Sequence, residues 1–80
     1  MIIKCGRREF EVTREDRILD NGSCYQLITQ TYIEGFSKQY PIVSKTMFKN
    51  LFKNGEIIKS VEKYKDSLSN KECDLYEFTK

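Results

Sequence analysis

The stretch Ser44-Lys-Thr-Met-Phe-Lys-Asn-Leu-Phe-Lys-Asn-Gly55 decides the fold class, because it has helical period in a chain otherwise patterned for strands. Ser44 is a good N-cap, its hydroxyl able to accept from the exposed N–H groups of a first turn. Gly55 is a good residue just past the end, free to turn left-handed. At ~100° per residue, Met47, Phe48, Leu51 and Phe52 cover an arc of about 140°. The pattern predicts a helix between these caps, with that stripe facing the core. Lys45, Lys49 and Lys53 recur at i, i+4 and i+8 and form a row along one edge of the stripe. Thr46, Asn50 and Asn54 fill the rest of the exposed side.

Working outward, the flanks read as β. On the N-terminal side, Ile2-Ile-Lys-Cys5 and Arg8-Glu-Phe-Glu-Val12 flank Gly6-Arg7. Glycine at the first turn position suits a type II′ hairpin. Phe10 and Val12 then share one face, while Glu9 and Glu11 share the other. Asn21-Gly22 is a strong hairpin signal and predicts a type I′ turn. It follows the short segment Arg17-Ile-Leu-Asp20 and precedes Ser23 to Ile33, the longest strand candidate, rich in β-branched and aromatic residues. The return strand, Lys38 to Val43, contains Pro41, which cannot donate to a ladder and so places the strand at an edge or makes it short. Beyond the helix, Glu56 to Tyr64 and Glu72 to Thr79 read as two more strands. Cys73 and Leu75 fall on one face of the last strand, with Tyr76 and Phe78 on the other. The expectation is an α+β fold: a small, mostly antiparallel sheet in the order ββββ-α-ββ, with one short helix packed on it.

The chain has 80 residues, enough for a single domain over 1–80. A core of that size stabilises by only roughly 3–5 kcal/mol, so an oligomer or a partner is a reasonable expectation. No apolar run approaches the ~18 residues of a membrane span. The N-terminus is too short in apolar residues for a signal peptide. These features predict a cytoplasmic protein with no membrane partner. The three cysteines, Cys5, Cys24 and Cys73, are far apart and form no CxxC, so they read as small buried hydrophobes.

Histidine is absent, which excludes Ser-His, Cys-His and His-metal chemistry. The isolated glycines make neither a P-loop nor a dinucleotide fingerprint. The neighbouring acids Glu9 with Glu11, and Glu15 with Asp16, read as solvated surface rather than as a catalytic pair across a cleft. No catalytic residue, metal ligand or cofactor is expected. Charge is organised in one region: residues 38–65 carry seven lysines against Glu56 and Glu62. The lysine row suits phosphates or an acidic protein surface, and it equally reads as solvated helix. Without arginine it offers no bidentate reading of guanine. A second candidate is the aromatic group Tyr32, Phe36 and Tyr40, since aromatic residues anchor interfaces.

The stretches Leu19-Asp-Asn-Gly-Ser-Cys-Tyr-Gln-Leu-Ile-Thr-Gln30 and Pro41 to Ile57 resemble small proteins encoded by phages and mobile elements of low-GC bacteria. The likeness covers about half of the chain, through a turn-plus-strand and a capped helix. It implies anti-defence inhibitors, anti-CRISPR proteins among them, and small regulators. The leading expectation is therefore a non-enzymatic protein that binds and inhibits a larger bacterial protein or nucleoprotein machine. Lys45, Lys49, Lys53, Phe36 and Tyr40 are its partner-binding candidates. The alternative is a small nucleic-acid-binding regulator using the same lysine row. A third reading is a homo-oligomer joined through a sheet edge.

Overall fold

In the computed structural model every strand pairing among the described residues is antiparallel, and a helix connects the two edges of the larger sheet. The structure describes residues 1–29, 40–65 and 70–79. The strands are β1 (Ile2–Cys5), β2 (Arg8–Glu11), β3 (Arg17–Asp20), β4 (Tyr25–Ile28) and β5 (Ile42–Val43). Helix α1 (Lys45–Lys53) follows, then β6 (Ile57–Lys65) and β7 (Glu72–Phe78). The fold is α+β in the expected order, with the short Arg17–Asp20 segment also forming a strand.

β1 and β2 pair as a hairpin with Cys5 opposite Arg8. Gly6 takes φ 64° while Arg7 stays at negative φ, as a type II′ turn requires. The second hairpin differs from expectation. Asp20 pairs with Tyr25, and the chain turns around Gly22-Ser23 rather than Asn21-Gly22. The cause is the Asn21 carboxamide, whose Oδ1 accepts from the N–H groups of Ser23 and Cys24, both at 2.9 Å. That side chain does the work of a turn carbonyl, and Gly22 alone takes the positive φ, at 88°.

The remaining strands form one sheet in the order β5-β4-β3-β7-β6. β5 lies at an edge and is only two residues long, beginning after Pro41. β7, the last strand, inserts between β3 and β6, so the chain must travel from one edge to the other after β5. Five strands at about 4.8 Å spacing put the edges about 19 Å apart. A nine-residue helix spans about 14 Å, so α1 bridges most of that width and covers the face it crosses.

That face holds the main core. Ile18, Leu27, Val43, Ile57 and Phe78 from the sheet meet Phe48 and Leu51 from α1, and Ile3, Cys5 and Val12 from the β1–β2 region. Strand alternation sends the intervening residues to the other face, where Leu19, Cys73, Leu75 and Ile28 cluster. β6 is irregular in its middle: Lys59 pairs with Tyr76 and Lys63 with Asp74, so Ser60, Val61 and Glu62 oppose Leu75 alone. The bulge leaves Val61 97% exposed and re-aims the strand.

Two surface expectations need correction. Asp16 is buried, not solvated: its carboxylate accepts from the Thr13 N–H at 2.8 Å and closes the turn into β3. Phe52, assigned to the core stripe, is 53% exposed. The sheet contact is narrower than the apolar arc, so the ring at its margin stays outside. Among the described residues, no helix is long and apolar enough to cross a membrane.

Candidate functional site

Caps fix α1 at both ends. The Ser44 hydroxyl accepts from Met47 N at 3.1 Å. Past the C-cap Asn54, Gly55 adopts φ 73°. Its N–H reaches Phe52 O at 3.1 Å, while the Glu56 N–H reaches Leu51 O at 2.9 Å. These two bonds are the Schellman pair, which satisfies carbonyls the helix end would otherwise leave open. Helix length and phase are thereby set by local chemistry, and the phase decides which side chains face out.

Lys45, Lys49 and Lys53 all face solvent. They stand one turn apart, about 6 Å each along the axis. No ion pair joins any of them to an acid among the described residues. The helix itself contains no carboxylate, and its first turn has no acid. Lys45 occupies the first helical position, where the helix dipole presents its positive end. This placement opposes the local electrostatics. It is the kind of departure from local consistency that functional surfaces carry.

Phe52 adjoins this row. Its ring lies 6.4 Å from Phe48 with planes 14° apart, and 6.1 Å from Tyr76 in an edge-on contact. Phe48 is in turn stacked on Tyr25 at 3.8 Å and 5°. Three rings therefore share nearly one orientation, and exposure rises to its highest at Phe52. At ~100° per residue, Phe52 and Lys45 fall about 20° apart around the helix, on one strip of its surface. The sequence contained a signal for this: Phe52 is the apolar residue nearest the lysine meridian.

Two lysines of β6 are in a different state. Lys59 and Lys63 both approach the Asp74 carboxylate, at 3.6 and 3.8 Å. Asp74 is the cross-strand neighbour of Asp20 on the helix-covered face. Burial, and then the charges of Asp20 and Asp74 and the Tyr25 phenol, hold the Tyr76 phenol above its ordinary 10.0. The two aspartates thus belong to a network of lysines and tyrosines at one end of the sheet. Among the described residues, no group of three or more Asp, Glu, Cys or His is placed to hold a metal.

Of the sequence candidates, the three lysines are brought together on α1. Tyr40 is half-buried and lines a shallow depression with Cys5, Gly6, Arg8, Pro41 and Ile42, beside the first hairpin turn. None of the helix lysines lines that depression. Phe36 and Tyr32 lie outside the described residues. The chain matches no protein-family model, no curated protein and no solved structure. The chemistry of α1 and its surroundings is thus the basis for a functional reading.

Proposed function

We propose that this protein works by binding rather than by chemistry: it docks on and inhibits a larger bacterial protein or nucleoprotein machine, as an anti-CRISPR protein would. The observation that carries the reading is the exposed lysine row of α1, on a helix without a carboxylate and with no ion pair to an acid among the described residues. Three cations on a rigid, doubly capped helix are pre-organised for an acidic surface, and fixed charges of this kind speed encounter and set orientation. Lys4, by contrast, stands 3.8 Å from Glu9 on the neighbouring strand.

The test is affinity capture from bacterial lysates that contain defence nucleoproteins, comparing wild type with Lys45→Glu/Lys49→Glu/Lys53→Glu. The reading expects a stoichiometric partner held by wild type and lost with the triple variant, whose circular dichroism stays native. Capture that returns no stoichiometric partner, or one the triple variant holds equally well, sinks it. A second reading, a nucleic-acid-binding regulator, is favoured by the exposed Phe52 beside the row, since single strands are bound by cations and aromatic faces together.

A further inference from the structure

We infer that the ligand taken by this surface is a single-stranded stretch of nucleic acid, with one unpaired base stacked on Phe52 and neighbouring phosphates on Lys45, Lys49 and Lys53. This rests on the reading of α1 as the binding surface and names what it takes. Phe52 is the outermost of the rings in near-common orientation, and its contacts with Phe48 and Tyr76 hold it in place before any ligand arrives. A pre-oriented ring loses little freedom on binding. A base continues such a stack, and it does so with any sequence because every base has a π-face.

The lysines fit the same ligand. They are point charges without the planar fork that holds a carboxylate in two bonds, and their spacing of about 6 Å lines them along an extended backbone. Lys59 and Lys63 both approach Asp74, whereas no ion pair joins the helix lysines to an acid among the described residues. Duplex is disfavoured on two grounds. Its bases already stack on each other and leave no face for Phe52. The ring also sits at the boundary of helix and sheet rather than on the helix crest that enters a groove.

Fluorescence anisotropy tests this with labelled oligothymidylate, oligouridylate and the oligothymidylate annealed to its complement. The single strands are expected to bind at least roughly tenfold tighter than the duplex, in keeping with the stacking contribution per base. Three phosphate contacts give log K against log salt a slope of about −2. Phe52→Leu keeps apolar packing on Phe48 and Tyr76 but offers no π-face, so it should lose roughly tenfold or more while its melting temperature stays near wild type; Phe52→Trp should retain binding. Equal affinity for duplex, or unchanged affinity in Phe52→Leu, overturns the inference. So does a wild type that binds no oligonucleotide at low salt. If α1-dependent capture of a protein persists in that last case, the proposed function stands and its partner is protein. If capture also fails, both fall together.

Discussion

At the residue scale, the sharpest conflict is Lys45, a cation at the positive end of the helix dipole. Lys45→Glu should raise stability by about 0.3–1 kcal/mol, read as a higher urea midpoint, while weakening any binding that uses the row. A loss of stability instead would mean that Lys45 supports the fold. Gly55 shows the opposite logic. An added Cβ there meets nothing within 4 Å, so the cost of Gly55→Ala comes from φ 73° alone. That variant should lose about 1 kcal/mol, and Gly55→Asn less. Ser44→Ala removes the bond to Met47 N and should cost about 1 kcal/mol by the same measurement. Tyr76 makes a pH prediction. Its folded-state phenol titrates above the ordinary 10.0, so the unfolded chain releases this proton first. The contribution to stability is complete below pH 10 and is lost as pH rises through the folded value. Tyr76→Phe should remove a late component from the tyrosinate absorbance titration and reduce the alkaline loss of stability. Both expectations fail if the variant titrates like wild type.

At the element scale, caps and edges were legible and turn details were not. Ser44 and Gly55 bound α1 because capping is local: each residue serves backbone groups within a few positions. Pro41 marked the strand there as an edge or a short one for the same reason, and β5 is both. The Asn21 turn moved by one residue because a side-chain oxygen competed with the backbone for the same donors. Within α1, Phe48 and Phe52 carry identical side chains one turn apart, yet one is 8% exposed and the other 53%. Their variants should separate accordingly. Phe48→Ala removes a ring packed on Tyr25 and Tyr76 and should cost about 3–5 kcal/mol, which is the whole stability of a domain this small. Circular dichroism should find it largely unfolded at room temperature. A cooperatively folded Phe48→Ala protein would contradict the assigned core.

At the scale of the whole molecule, β7 ties the halves of the larger sheet, pairing with β3 on one side and β6 on the other. Amides of β3 and β7 should therefore exchange with deuterium most slowly. Those of the β1–β2 hairpin, which forms its own two-stranded sheet, should exchange sooner. Equal protection in both would show that the two sheets open as one unit. The chain's own pattern determined the α+β class, the antiparallel hairpins, the helix with its caps and lysine row, and the absence of histidine chemistry. Each follows from neighbours in sequence, through strand alternation, helical period and capping. Only the tertiary structure decided that β7 lies between β3 and β6, that α1 crosses between opposite sheet edges, that Asp74 answers Lys59 and Lys63, and that Phe52 remains outside beside Lys45, Lys49 and Lys53. These depend on which distant segments meet. The width of the sheet surface under the helix, not the helical period, sets how much of an apolar stripe is covered.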